Sequence, residues 1–308
     1  MKYQKPFLKW VGGKTQILDQ IMEKFPKEIK DYHELFLGGG SVLFALLTLR
    51  QHKKIKISGK IYAYDINRNL IHLYQTIQKD KDKFFNSLRD FLQQYDSLRV
   101  GEKNINRKPK NLEEAKLCKE NYYYYLRTRF NSLYLSKEEI KEDEKIELAV
   151  LFLFLNKTCF RGVYRESSNG FNVPYGHYKT TPNIMTQEEI DIIYSLIKDV
   201  EFKCLTFEES IKIPKKQDFV YLDPPYAPES KNSFVGYTKD GFNLDCHKNL
   251  FSEIIRLNQE GIKFCLSNAK VDLVTTTMKD FTIQELEARR SINSKNPESK
   301  TTEVIITN

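Results

Sequence analysis

Residues 218–226 read Asp-Phe-Val-Tyr-Leu-Asp-Pro-Pro-Tyr. The apolar, aromatic run at 219–222 predicts a buried strand. Pro224 and Pro225 stop it, because neither can donate a ladder hydrogen bond and each fixes its own φ. Asp223, the Pro224 carbonyl and the Tyr226 ring are thereby set at a strand's carboxyl end, where open α/β sheets bind their ligands. A carboxylate, a stiffened carbonyl and a ring in that place form a catalytic set for a small polar group. Asp-Pro-Pro is also an ordinary turn after a strand, and the stretch alone leaves both readings open.

Two stretches upstream bear on the choice. A short strand at 33–36 runs into Leu37-Gly38-Gly39-Gly40-Ser41 and the apolar helix 42–49, a strand, glycine turn, helix unit. Glycines are needed where backbone turns sharply against a ligand, and Ser41 is the expected N-cap. The spacing is not the dinucleotide fingerprint. The next strand, 60–64, ends in Asp65, where an acid normally accepts hydrogen bonds from ribose hydroxyls. Together these predict a nucleoside-bearing cofactor. Residues 9–15, Lys-Trp-Val-Gly-Gly-Lys-Thr, invite comparison with a phosphate loop. A Walker A loop needs a further glycine five positions before Gly13, where Leu8 stands, so a nucleoside triphosphatase is excluded on spacing. What remains is a Gly-Gly turn leading into an amphipathic helix. Trp10 before it would pack beside an aromatic cofactor or simply fill core, and Lys14 would hold a carboxylate at the helix start.

The elements that position these residues are predicted as an α/β sheet interrupted by a helical insert. Strands are expected at 201–205, 263–266, 281–286 and 303–307, and helices at 67–77, 188–197 and 247–257. Between them lie long charged helices at 82–95, 113–131 and 143–155. Tyr122–Tyr125 with Arg127 and Arg129 form an aromatic and basic cluster, read as helix packing with snorkelling arginines ahead of direct nucleic-acid contact. Residues 156–179 differ, interleaving Lys157, Arg161, Arg165, His177 and Lys179 with Phe160, Tyr164, Phe171, Tyr175 and Tyr178 on a glycine-punctuated loop. Such a segment suits backbone neutralisation plus base contacts. A loop rich in Gly, Ser, Asn and Lys at 227–243 is long enough to be a lid or a substrate-binding segment. The domains are expected at 1–78 and 187–308 for the sheet, with the insert at 79–186.

Composition sets limits. The net charge of +8 over 308 residues suits a polyanionic partner without demanding one. Five scattered cysteines lack Cys-x-x-Cys spacing, which argues for reduced thiols in an intracellular, soluble setting and against zinc. The longest apolar run, 148–155, is too short to span a bilayer and reads as a buried helix. Lysines 2, 5 and 9 interrupt any signal-peptide pattern.

Taken in order, Lys-Trp-Val-Gly-Gly-Lys-Thr, Phe-Leu-Gly-Gly-Gly-Ser-Val, Tyr-Ala-Tyr-Asp-Ile-Asn, the 156–179 loop and Asp-Pro-Pro-Tyr resemble the motifs of Dam-like, class D12 DNA adenine-N6 methyltransferases, nearly end to end. The resemblance implies a Rossmann-like S-adenosylmethionine-dependent methyltransferase sheet with an inserted, mainly helical DNA-recognition domain. It implies S-adenosyl-L-methionine as cofactor, no metal, and double-stranded DNA as partner, with a cognate restriction endonuclease as a possible second. It assigns Trp10, Lys14, Phe36, Gly38, Gly40, Asp65 and Asp223 to the cofactor, and Asp223, Pro224 and Tyr226 to catalysis. Lys9, Lys157, Arg165, Pro174, Tyr178 and Lys179 match family positions at the DNA. Phe160, Arg161 and Val163 sit where family members vary, and the target sequence stays open. The alternatives are DNA cytosine-N4 methylation, RNA adenine methylation, and a non-catalytic nucleic-acid-binding protein on the same fold. Asp at the motif's first position favours adenine over cytosine.

Overall fold

A computed structural model describes residues 2–101, 105–136, 138–178, 182–227, 242–289 and 300–308. Most of the loop expected at 227–243, residues 290–299, and Lys179 lie outside the described residues. In chain order the elements are α1 (Leu18–Glu23), β1 (Glu28–Ile29), β2 (Tyr32–Glu34), α2 (Ser41–Gln51), β3 (Lys56–Ile57), β4 (Ile61–Asp65), α3 (Arg68–Ser97), α4 (Leu112–Ala115), α5 (Lys119–Tyr134) and α6 (Glu142–Thr158). They continue with β5 (Glu166–Ser167), β6 (Gly170–Phe171), α7 (Gln187–Ile197), β7 (Val200–Cys204), α8 (Phe207–Ser210), β8 (Phe219–Leu222), α9 (Leu244–Gln259), β9 (Lys263–Ala269), α10 (Asp272–Thr277), β10 (Thr282–Arg289) and β11 (Lys300–Thr307).

The chain divides into two compact units. One comprises Met1–Lys5, Gly13–Ile66 and Asp199–Asn308; the other comprises Pro6–Gly12 and Asn67–Lys198. The division falls at 66/67 and 198/199 rather than 78/79 and 186/187. The physical reason is that α3 runs across residue 78, and α7 packs on α3, with Gln78 Nε2 donating to the Ile197 carbonyl at 2.7 Å.

The first unit is a mixed α/β layer on a seven-stranded sheet, ordered β10-β11-β9-β8-β2-β4-β7. The five strands from β9 to β7 are parallel, and β11 runs antiparallel to both β9 and β10. All four residues of β8 and all three of β2 are buried, as central parallel strands covered on both faces must be. From β2 the chain moves outward through β4 to β7, then returns to place β8 on the opposite side of β2. The topological switch point therefore lies between the carboxyl ends of β2 and β8. Helix α9 buries His247, Leu250, Phe251, Ile254 and Leu257 at helical spacing, and the Asn243 side chain caps it by accepting from Cys246 N–H.

The turn after β2 corrects one expectation. Gly40, not Ser41, is the N-cap of α2, in the left-handed conformation at φ +73°. Ser41 is the first helical residue, and its Oγ instead accepts the Lys14 N–H at 3.2 Å. Chain direction is reversed by a residue without a Cβ, which frees the serine to anchor a different segment.

The second unit is built on α3, α5 and α6. Helix α6 buries Leu148–Asn156 without a break, as the apolar run predicts. Helix α3 kinks at Asp80, whose side chain accepts the Lys83 N–H at 3.0 Å and so restarts the helix. The helix expected at 113–131 is interrupted at residues 116–118, leaving the short α4 and the longer α5. On α5, Tyr122, Tyr123 and Tyr124 are buried. Arg127 donates to the Val173 carbonyl at 3.0 Å, while Arg129 pairs with Glu147 at 2.7 Å and Glu144 at 3.3 Å. This cluster is packing, as read from the sequence.

Gly40→Ala should destabilise the protein by about 1–2 kcal/mol, the steric penalty of a Cβ in the left-handed region. Urea unfolding measures it; an unchanged midpoint would mean the turn relaxes into another conformation.

Candidate active site and nucleic-acid interface

In the first unit, three strand ends bring the expected chemistry together. Asp223 follows β8 directly, and its Oδ1 lies 2.9 Å from Lys14 Nζ. The lysine side chain is 5 % exposed and the aspartate 18 %, so the pair is largely withdrawn from water. Lys14 precedes α1 by four residues rather than starting it, and the carboxylate it holds is the chain's own. The same ammonium sits 4.6 Å from the centroid of the Tyr226 ring. Tyr226 in turn donates its hydroxyl to Glu303 Oε2 on β11 at 2.6 Å. At the end of β4, Asp65 Oδ2 accepts the Gly38 N–H at 2.9 Å, joining the acid to the glycine turn. Phe36 packs against Phe207 and Phe242, each with ring centroids 6.0 Å away. Pro224 is buried.

The electrostatics follow from this burial. Asp223 is pushed up to about 6 by desolvation; Lys14 pulls it down and Glu303 pushes it up. Tyr226 is held well above the usual phenol value by burial, then by the charges of Asp223 and Glu303. The ion pair thus opposes the cost of placing an ionised carboxylate out of water.

Two residues that sequence reasoning passed over support the site. Glu34, at the carboxyl end of β2, is 1 % exposed and accepts the Tyr32 hydroxyl at 2.7 Å. Burial pushes its carboxyl up to about 8; bonds from Tyr32 and the Leu43 amide lower it, and the charge of Asp223 raises it. The signal available was an acid in an otherwise apolar strand just before three glycines. Asn268 on β9 is fully buried, and its Oδ1 accepts the Ala227 N–H at 3.1 Å and the Ala269 N–H at 2.8 Å. It braces the backbone immediately after Tyr226.

In the second unit, Lys9, Lys157 and Tyr178 form one cluster. Lys9 Nζ donates to the Tyr178 hydroxyl at 2.9 Å and the Lys157 carbonyl at 3.1 Å. Tyr178 donates to the Cys159 carbonyl at 2.9 Å. Lys157 is lowered by burial and then by the charge of Lys9. Arg165 is exposed beside the hairpin formed by β5 and β6, with Nε donating to Asn172 Oδ1 at 2.7 Å. That hairpin lies in a segment read as irregular, although its Asn169-Gly170 pair is a turn signal. Pro174 is exposed, and its carbonyl accepts the Phe160 N–H at 2.8 Å. Arg161 and His177 hold the left-handed region at φ +55° and +50°, an unusual conformation for residues with a Cβ. Trp10 belongs to this unit too, stacked on Tyr164 with centroids 5.8 Å apart.

A folded acid held above its ordinary value stabilises the protein fully at pH below that value and loses the contribution as pH rises through the folded one. For Glu34 the window runs from 4.5 to about 8, and for Asp223 from 3.8 to about 6. The urea midpoint should therefore fall between pH 5 and 8, and Glu34→Gln should remove the part above pH 6. A variant that keeps that slope would assign it to another group.

The comparisons with known proteins agree with these motifs. A family model described as D12 class N6 adenine-specific DNA methyltransferase matches residues 10–292. The chain is 38 % identical to the type II methyltransferase M.MjaIII of Methanocaldococcus jannaschii, over 96 % of this chain and 95 % of that protein. It is 31 % identical to the type II methyltransferase M1.LlaDCHI of Lactococcus lactis subsp. cremoris, over 99 % and 95 %. It is 30 % identical to the DNA adenine methylase of Escherichia coli strain K12, over 96 % and 91 %. With a parallel sheet whose switch point carries Asp-Pro-Pro-Tyr opposite a glycine turn, the chain belongs to the D12 class of N6 adenine-specific DNA methyltransferases.

Proposed function

We propose that the protein methylates N6 of an adenine within a short, specific duplex DNA site, using S-adenosylmethionine. The observation that carries this reading is the withdrawn Asp223–Lys14 pair at the switch point, beside the buried Pro224 and across from the Gly38–Asp65 bond. The residues fit that cofactor. Asp65 offers a carboxylate to ribose hydroxyls, and the turn from Gly38 to Gly40 admits close backbone approach. Phe36 offers a ring, and Trp10 is assigned to the cofactor on the family resemblance alone. When bound, S-adenosylmethionine supplies an already activated sulfonium methyl group.

The chain's own task is to prepare the acceptor. An adenine amino group is a weak nucleophile because its lone pair is delocalised into the ring. Lys14 occupies Asp223 Oδ1, and Oδ2 is the oxygen that accepts one amino hydrogen. The Pro224 carbonyl accepts the other, and two acceptors so placed favour a tetrahedral nitrogen with an available lone pair. Asp223 is also the acceptor for the proton the nitrogen must lose, and a carboxyl held near 6 can take it and pass it on. Tyr226 stacks on the base. A base in a duplex must leave its stack to reach such a site, which costs about a few kcal/mol; stacking on an aromatic ring returns about 1–3 kcal/mol. The cluster of Lys9, Lys157 and Tyr178, with Arg165 and Pro174, is assigned to DNA, as is Lys179. The two relatives named type II methyltransferase favour a protective role beside a cognate restriction endonuclease.

Asp223→Ala should abolish methyl incorporation into DNA while a gel-shift assay still registers DNA binding; undiminished methylation would remove Asp223 from catalysis. For the wild type, kcat/KM should rise with pH up to about 6 and then level, as Asp223 ionises. Modification-sensitive sequencing of DNA from cells expressing the protein tests the function itself. It should show N6-methyladenine confined to one short motif, and methylation confined to RNA would overturn the reading.

A further inference from the structure

Two asparagines of the helical unit make the same unusual bond pattern, and both lie under the cations assigned to DNA. On α5, Asn131 Oδ1 accepts the Phe171 N–H at 2.8 Å while its Nδ2 donates to the Phe171 carbonyl at 3.0 Å. On α6, Asn156 Oδ1 accepts the Lys9 N–H at 2.9 Å while its Nδ2 donates to the Lys9 carbonyl at 2.7 Å. Each side-chain amide thus acts as a ladder partner for one peptide residue, fixing that residue against a rigid helix in both directions. The packing around both clamps is close. A Cβ on Gly170 would meet Asn131 Oδ1 at 2.6 Å, and a Cβ on Gly162 would meet the Lys9 Cβ at 2.3 Å. Asn156 Nδ2 also reaches the Gly162 carbonyl at 3.4 Å, so one amide ties the segment of Lys9 to the turn before Arg165.

Each clamp leads to a cation. Beyond Phe171 stands Asn172, whose Oδ1 engages Arg165 Nε at 2.7 Å, and whose N–H donates to the Arg165 carbonyl at 3.2 Å. With Nε engaged, the guanidinium reads through its Nη edge, the fork that matches O6 and N7 of a guanine. Beyond Asn156 stands Lys9, with two of its three ammonium donors directed to Tyr178 and Lys157. A lysine held this way is a directed donor, unlike a solvated cation that finds any phosphate.

We propose that Asn131 and Asn156 are positioning residues for sequence discrimination, Asn131 through Arg165 and Asn156 through Lys9. The inference rests on the DNA-methyltransferase reading above. Neither asparagine is expected to touch DNA; each sets the register of a side chain that does.

The test uses the full-length enzyme, a duplex carrying the mapped site, and duplexes in which each base pair of the site is changed singly. Asn131→Ala should lower the ratio of kcat/KM for the correct over the altered duplex by about tenfold at one base pair, the scale of a lost bidentate contact. In an Arg165→Ala background the same substitution should change that ratio no further, because the two act in series. Asn156→Ala and Lys9→Ala should behave likewise at a different base pair. Equal losses on all duplexes, with cofactor affinity and melting temperature falling together, would make the asparagines merely structural and overturn the proposal; so would additive effects in the double variants. If Asn131→Ala does not fold, Asn172→Ala cuts the same chain at its last link and must reproduce the loss at the same base pair. A wild-type enzyme that methylates all duplexes equally would instead defeat the underlying reading of site-specific methylation.

Discussion

The constraint on which the sheet unit depends is the withdrawal of a carboxylate from water at the end of a central strand. Asp223 cannot leave that place, because β8 is buried along its whole length and two prolines fix the chain's exit. Its charge must therefore be met where it stands. Lys14 meets it, and to do so the N-terminal turn is tied down by Ser41, itself the first residue of the helix that the glycine turn launches. The glycine turn, the N-terminal segment and the end of β8 are thus one bonded assembly. Removing one partner of such a pair leaves the other uncompensated, which is more damaging than the pair is stabilising.

Around that pair the protein places further acids, Glu34 and Glu303, in a region already short of water. Both are tied to tyrosines, Tyr32 and Tyr226, so each acid accepts a hydroxyl hydrogen. The raised values of Glu34 and Asp223 share desolvation as their first cause. Of the two acids raised by burial, Asp223 is the one that Lys14 touches, and its charge is the better supported.

Much of this was legible in the sequence, for identifiable reasons. The strand before Asp223, the glycine turn and Asp65 stood out because each announces itself locally, by an apolar run, a glycine cluster or a strand-end acid. The failures were non-local. Ser41 looked like a cap because serine before an apolar helix usually is one; only the folded chain brings Lys14 to its hydroxyl. Asn268 gains its role from a segment far away in the chain, and nothing in a linear pattern marks it; Glu34 was marked only as an acid before the glycine turn, and its burial comes from the strands that flank β2. The break between α4 and α5 escaped because hydrophobic periodicity continues across it, whereas the kink of α3 at Asp80 falls in the gap between the helices expected at 67–77 and 82–95. The hairpin of β5 and β6 escaped because its strands are two residues long. The compact unit of Pro6–Gly12 and Asn67–Lys198 has edges that composition did not mark, since α3 and α7 share the periodicity of the helices beside the sheet.

The placement of β11 has a consequence for assembly. It lies between β9 and β10 although both precede it in the chain, so β10 has no seat on the sheet until β11 intervenes. The two must dock as a hairpin, or β11 must add first. Glu303, the partner of the Tyr226 hydroxyl, rides on that strand. The parallel strands can therefore pair while the Tyr226 hydroxyl still lacks its partner.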